Sequence, residues 1–397
     1  MNEDSLAVGQ RSLGDPSITY PLWPPMTRGC PETSTPEIAY PVEVDYAYDK
    51  VPAGLFDQEI GPDLGRWAPL LPPLHAPTLG EGGTPLIEVE GVFLKDESRN
   101  PTWSHKDRLN RCTVSGALGA GAPGVVAASS GNHGASAAAY AARAGLPCII
   151  LASADSPPAI RDFIRSYGAV VLPVPAGERW PLMRRIADEL GFHPVSNLSV
   201  THTGHGFGPE GYKTIAYELH RQVGVPAVVF VPTGYGELIY GVWKGFAELH
   251  RLGVTSATPR MFSCEPVAGG PLARALATGR PAVSVEVRKS LAYAIDCPVN
   301  GYRGVVAVRD SGGGAVLLTD EEMATAQRDL AHRGLWHELS SAAALAGYRK
   351  LGERFDGPVV CVSTSSGFKD LGVGATPTVP LDPSWPAVRE VLRAHGM

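Results

Sequence analysis

The chemistry this chain can do turns on Lys106. A short apolar run, Val92 to Leu94, leads into a charged turn that breaks at Asn100-Pro101 and then delivers Ser104, His105, Lys106 and Asp107 together. A lysine amine in a partly desolvated site has a lowered pKa and adds to carbonyl compounds. Standing alone, the same stretch reads equally as a solvated loop that caps a helix. Three further polar stretches also follow apolar runs. Ser129-Ser-Gly-Asn-His-Gly134 sets hydroxyls, the Asn132 amide and loop N–H groups where a carboxylate or a ring hydroxyl would be held, or where a helix is simply capped. His133 within it is a base or a hydrogen-bonding filler. Thr233-Gly-Tyr-Gly-Glu237 frees backbone N–H groups toward an anion, or makes a plain tight turn. It has neither G-x-G-x-x-G spacing nor a Walker lysine. Ser363-Thr-Ser-Ser366 ends an apolar run in hydroxyls, which meet a ring nitrogen or close a turn.

Elements to position these stretches are legible in the alternation of apolar runs and helical spacing. Strands are expected at Val125 to Ala128, Cys148 to Leu151 and Ala169 to Val174. Helices are expected at Ala135 to Ala144, Pro158 to Tyr167 and Glu178 to Leu190, stopped by Gly145, Gly168 and Gly191. The alternation resumes with helices Glu210 to Val223 and Ile239 to Leu252 and strands Ala227 to Val231, Met261 to Cys264 and Pro358 to Val362. Asp320 to Arg333 is a helix with Thr319 as N-cap and Glu322 at the capping-box position. Gly301 to Asp310 is strand by valine content and helix by spacing. Strand–helix alternation with short turns means a parallel sheet covered on both faces. The fold class is α/β, with two doubly wound three-layer α/β/α domains. The boundaries expected are an arm over 1–75, a large domain of 76–108 plus 196–397, and a small domain over 109–195. Ligands in such sheets sit beyond the carboxyl ends of the strands, so the four polar loops should converge. The Pro-rich arm, with a strand in Tyr40 to Tyr48, packs on the main body or on a second subunit.

Composition bounds the partners. The 397 residues are 44% hydrophobic and 19% charged with a net charge of -6, which disfavours nucleic acid or an anionic membrane as main partner. No membrane span and no secretory signal are read, so the expected location is cytoplasmic. None of the six cysteines lies in a Cys-x-x-Cys pair, so no metal site is expected, and buried free thiols are.

An amine, a phosphate cradle, an amide for a ring oxygen and a hydroxyl for a ring nitrogen are together what pyridoxal phosphate requires. The chain resembles the fold-type II pyridoxal phosphate enzymes, the tryptophan synthase β-subunit superfamily, and within them the threonine synthases. The resemblance rests on Glu81-Gly-Gly-Thr-Pro-Leu86, Lys95-Asp-Glu97, Asn100-Pro-Thr102, Ser104-His-Lys-Asp-Arg108 and Ser130-Gly-Asn-His133. It continues through Glu210-Gly-Tyr-Lys-Thr-Ile-Ala-Tyr-Glu-Leu219, Trp243-Lys-Gly-Phe246 and Gly367-Phe-Lys-Asp370, and covers about residues 38–375. It implies a cofactor held between the two domains. Lys106 would be the Schiff-base lysine and proton carrier, and Asn132 the partner of the ring oxygen. Gly234, Tyr235, Gly236 and Glu237 would bind the cofactor phosphate, and Thr364 would face the ring nitrogen. Ser129, Ser130, Asn132 and His133 would enclose a substrate carboxylate. A neutral hydroxyl at the ring nitrogen biases the chemistry toward elimination and replacement rather than transamination. The implied reaction is that of a lyase or synthase on a small amino acid, and family members are commonly homodimers.

The chain departs from the threonine synthase pattern at three places. A cysteine-rich zinc knuckle before Val42 to Tyr48 is reduced to Cys30. The residue before the lysine, usually Phe, is His105, a catalytic imidazole or a packing variant. The arginine that grips a substrate phosphate bidentately is replaced, in His205-Gly-Phe-Gly208, by glycine. His202 and His205 are left to substitute for it or to serve another leaving group. The missing arginine favours a serine/threonine-type ammonia-lyase or a β-replacement synthase as the alternative reading. A catalytically silent binding protein of the same fold is the other alternative. Retention of Lys106, Asn132 and the 233–237 loop speaks against it.

Overall fold

The computed structural model describes residues 4–154, 158–370 and 381–394; the last stretch of the family resemblance, 371–375, lies outside them. The arm contributes β1 (Ala7–Ser12), β2 (Thr19–Tyr20) and β3 (Val42–Tyr46), an antiparallel sheet ordered β2-β1-β3. A second sheet begins with β4 (Leu86–Val89) and β5 (Val92–Asp96). Then come α1 (Lys106–Gly119), β6 (Val125–Ala128), α2 (Asn132–Arg143), β7 (Cys148–Ser153), α3 (Pro158–Ser166), β8 (Val170–Val174), α4 (Arg179–Leu190) and β9 (His193–Pro194). The chain returns through α5 (Gly208–Tyr212), α6 (Thr214–Val223), β10 (Val228–Pro232), α7 (Glu237–Arg251) and β11 (Arg260–Pro266). It finishes with α8 (Pro271–Thr278), α9 (Tyr302–Asp310), β12 (Gly314–Leu318), α10 (Asp320–Ala331), α11 (Leu339–Leu351), β13 (Val359–Ser363) and α12 (Trp385–Ala394).

Two open α/β sheets result. The larger is ordered β12-β11-β10-β13-β5-β4, parallel except for the β4–β5 hairpin at its edge; the smaller, β8-β7-β6-β9, is wholly parallel. Every residue of the central strands β10 (VVFVP) and β13 (VVCVS) is buried, as strands covered on both faces must be. The Thr319–Glu322 capping box is present at α10. Gly301 to Asp310 resolves to helix, and the helix expected over Glu210 to Val223 divides at Lys213 into α5 and α6. All six cysteines are buried and unpaired.

Several family motifs serve a buried ionic lattice rather than the cavity. Arg108 binds Glu97 (Nε to Oε2, 2.7 Å) and Glu218 (Nη1 to Oε1, 2.6 Å), while Lys95 Nζ reaches Glu218 Oε2 at 2.6 Å. All four side chains are 0–1% exposed. Burial alone would raise the pKa of Glu218, but Arg108 and Lys95 outweigh it and hold the carboxyl far below its ordinary range. A second cluster joins Glu210 to Lys213 (2.6 Å) and Lys244 (2.8 Å), and Lys213 to Glu248 (2.9 Å). The arm is tied to this cluster: Tyr46 donates to Glu210 and Tyr48 to Glu248, and Lys244 Nζ donates to the Val44 carbonyl. The arm therefore packs on the body of its own chain.

Candidate active site

The carboxyl ends of β10 and β13 and the N-termini of α1, α2, α4 and α7 enclose a cavity of about 280 Å³. Of the residues singled out from sequence, Lys106, His105, Ser129, Ser130, Asn132, His133, His202, His205, Gly234, Tyr235, Gly236, Glu237 and Thr364 all line it. The sequence distance between them is closed by the sheet, since β5, β13 and β10 are neighbours.

Lys106 opens α1. Its Nζ donates to Tyr212 Oη at 3.0 Å, and burial lowers its pKa, with Glu237 pulling in the opposite direction. Tyr212 was not singled out from sequence, although it lies inside the Glu-Gly-Tyr-Lys motif. Gly211 explains how it gets there. A Cβ on Gly211 would overlap the Arg108 carbonyl, so glycine lets α5 approach α1 and brings the phenol to the amine.

The 233–237 loop has the build of an anion cradle. Gly236 has φ +93° and caps α7, and the first N–H groups of a helix lack intrahelical acceptors. A Cβ on Gly234 would stand 2.8 Å from Cys297 Sγ, and one on Gly236 would stand 2.8 Å from Gly304 Cα. At the end of the loop Glu237 is half-buried, its carboxyl raised by desolvation and moderated by Arg303 at 3.6 Å.

At the end of β13, Thr364 Oγ1 lies 2.8 Å from Ser341 Oγ on α11, with no carboxylate partner among the described residues. Asn132 is held at both ends: Nδ2 donates to Glu338 Oε2 (2.7 Å) and Oδ1 accepts from Ser365 Oγ (3.1 Å). Ser129 Oγ accepts the Gly134 N–H (3.0 Å), and Ser130 Oγ accepts the Ser153 N–H (2.5 Å). The two serines thus shape the loop at the start of α2. Glu338 and Ser341 lie on an all-buried helix start and carried no signature in sequence.

The imidazoles divide by their partners. His105 Nδ1 sits 3.1 Å from the Thr364 carbonyl; the proton belongs on Nδ1, and Nε2 is the acceptor. Burial, then Lys106, depresses its pKa, so the ring is neutral. His202 stacks on Tyr235 (4.1 Å between centroids, 12°). His205 has both nitrogens engaged: Nδ1 accepts the Phe207 N–H (2.9 Å), and Nε2 meets His193 Nε2 at 2.8 Å. Desolvation brings the His133 pKa down to about 3. Gly208, where the resemblance leads one to expect an arginine, packs on α1, and a Cβ there would stand 3.2 Å from Leu109 Cγ.

A pyridoxal phosphate fits these residues. The glycine loop would offer N–H groups to its phosphate, the Lys106 amine would bond its carbonyl carbon, and the Thr364 hydroxyl would meet its ring nitrogen. Comparison with known proteins agrees. Residues 77–365 match a family model described as pyridoxal-phosphate dependent enzyme. The chain is 33% identical to the threonine synthase of Methanosarcina acetivorans, covering 83% of this chain and 87% of the relative. It is 33% identical to that of Mycobacterium tuberculosis, covering 77% and 88%. Among solved structures, maize serine racemase superposes with TM-score 0.63 at 20% identity, over 79% of this chain and 94% of the other. The processed threonine deaminase isoform 2 of Solanum lycopersicum gives 0.62 at 20% identity, over 79% and 83%; both likenesses speak to the fold alone. With a family match spanning most of the chain and one-third identity to curated relatives over most of their length, this protein belongs to the family of pyridoxal-phosphate dependent enzymes, in its threonine synthase-like branch.

Proposed function

We propose that this threonine synthase-like lyase uses Lys106 as covalent anchor and proton carrier in an elimination or replacement on a small amino acid. The observation that carries the reading is the half-buried amine, its pKa lowered by desolvation, held 3.0 Å from Tyr212 Oη in the same cavity as the glycine cradle. When bound, pyridoxal phosphate supplies an electron sink for negative charge developing at the amino acid's α-carbon. The chain's own residues do the rest. The N–H groups of Gly234, Tyr235, Gly236 and Glu237 bind the phosphate. Thr364, oriented by Ser341, faces the ring nitrogen without giving it a proton. Asn132, fixed by Glu338 and Ser365, holds the ring oxygen, and the Ser129–His133 loop takes the substrate carboxylate. Lys106 Nζ takes the α-proton and returns it, with Tyr212 positioning the amine between the two events. His105 presents Nε2 as a neutral acceptor beside the reacting centre.

The leaving group is set by the rest of the cavity. Gly208 offers no cation, and His205 has spent both nitrogens on His193 and Phe207. This supports a serine/threonine-type ammonia-lyase or a β-replacement synthase as the second reading. Release of inorganic phosphate from O-phospho-L-homoserine tests the synthase; ammonia and 2-oxo acid from L-threonine or L-serine test the lyase. No absorbance change with any amino acid would sink both. On the family resemblance we place the enzyme as a cytoplasmic homodimer, which light scattering on the purified protein checks. No helix among the described residues is long and apolar enough to cross a membrane.

A further inference from the structure

Two basic side chains line the cavity, Lys106 and Arg179. Lys106 is committed to Tyr212. Arg179 opens α4 in the smaller sheet's layer and is half-buried. Its Nε donates to the Ala176 carbonyl (3.2 Å), which closes the turn before the helix, and its Nη1 lies 3.4 Å from Ser130 Oγ. Among the described residues it has no carboxylate within ion-pair distance. Of the cavity's two carboxylates, Glu237 faces Arg303 at 3.6 Å, and Asp296 accepts the Ser290 N–H on Oδ2 at 3.1 Å while its Oδ1 has no hydrogen-bond partner among the described residues. A guanidinium carries five N–H donors, so Arg179 keeps donors free toward the cavity. The Ser130 contact places it beside the loop that opens α2, on the wall of the cavity.

We propose that Arg179 is a specificity-determining residue that binds an anionic group, a phosphate or carboxylate, on the distal end of the substrate amino acid. It does so from α4, supplying the cation that Gly208 on α5 does not. A planar fork suits this task because it meets two oxygens of one anion at once. The inference rests on the function proposed above and names the substrate class of that same cavity. Ser130 lies next to the expected α-carboxylate position, so the competing role for Arg179 is that carboxylate, which every amino acid carries.

The test uses holoenzyme with R179Q and R179K, checked for unchanged cofactor absorption and melting temperature. Wild type and variants are titrated with O-phospho-L-homoserine, O-phospho-L-serine, L-threonine and L-serine, following the cofactor's absorbance. Inorganic phosphate binding is measured by calorimetry. R179Q is expected to weaken the phosphorylated amino acids about 10- to 100-fold and leave the neutral ones within about threefold, with R179K intermediate. Phosphate binding should be lost in R179Q. Equal weakening of all four amino acids would assign Arg179 to the α-carboxylate and overturn the proposal, as would unchanged phosphate binding. Silence of the wild type toward every amino acid would refute the proposed function instead, while the phosphate titration would still decide whether Arg179 holds an anion.

Discussion

Lys106 Nζ and Tyr212 Oη lie 3.0 Å apart although 106 residues separate them in the chain. The contact exists because Gly211 lets α5 meet α1. It gives the amine a fixed direction inside a desolvated cavity, where burial favours its neutral, nucleophilic form. Lys106→Ala should therefore leave no covalent attachment for the cofactor: borohydride should fix no label in the variant, and turnover should fall by at least about 10³-fold. Tyr212→Phe should keep the label and lower kcat about tenfold with KM little changed. A Tyr212→Phe enzyme with unaltered kcat would remove the positioning role.

The glycine loop predicts a loss of a different kind. Gly236 adopts φ +93°, and a Cβ there would press on the Gly304 backbone. Gly236→Ala has to shift the start of α7 and the N–H groups that open it. Cofactor affinity, measured by absorbance titration of the stripped protein, should fall at least about tenfold, while Lys106 stays labelled at saturating cofactor. Unchanged affinity would mean that the cradle lies elsewhere.

Arg108 serves stability and not chemistry. It is fully buried between Glu97 and Glu218, and Lys95 shares the second carboxylate. Arg108→Met leaves two carboxylates with one lysine, a loss of about 3–5 kcal/mol for a broken buried pair. Urea unfolding measures it. Glu218→Gln should cost less than Arg108→Met, because it removes one charge and keeps a hydrogen-bonding side chain.

The loops that line the cavity were legible because each follows an apolar run, and strand ends in a parallel sheet gather in one place. Lys106, Asn132, the 233–237 loop and Thr364 fell into one cavity for that reason. What stayed hidden depends on partners far apart in the chain. Glu210 and Lys213 read as motif letters, yet their partners are Lys244, Glu248 and the arm's Tyr46. α11, which brings Glu338 and Ser341 to the site, is buried through its first nine residues and so lacks the amphipathic stripe that marks a surface helix. Gly301 to Asp310 was ambiguous because valine favours strands; Gly304 packing against Gly236 and Leu272 settles it as helix. Arg179 carried no motif, and only the cavity singles it out.

The His193–His205 pair makes a prediction about acid stability. The two Nε2 atoms lie 2.8 Å apart, and because His205 Nδ1 accepts the Phe207 N–H, the neutral His205 ring donates from Nε2 to His193 Nε2. Desolvation brings His193 to about 4 and depresses His205 strongly. The unfolded chain takes up protons near pH 6.5 and the folded pair resists them, so stability is fully present above that pH. It is lost as pH falls from about 6.5 toward 4, on the order of 3 kcal/mol for His193 alone. Carboxyls raised by burial act the other way, Glu237, Asp45 and Asp296 among them. Burial raises Asp107 to about 6 and Glu265 and Asp370 to about 7, so the folded state gains stability through them as pH falls. The wild-type curve therefore mixes both signs, and the difference between wild type and His193→Gln isolates the pair. Glutamine keeps an acceptor for His205 and cannot be protonated, so the variant should lose less stability than wild type between pH 7 and pH 5 in urea titrations. Parallel curves for the two proteins would show that the pair takes up its proton in the folded state as readily as in the unfolded chain.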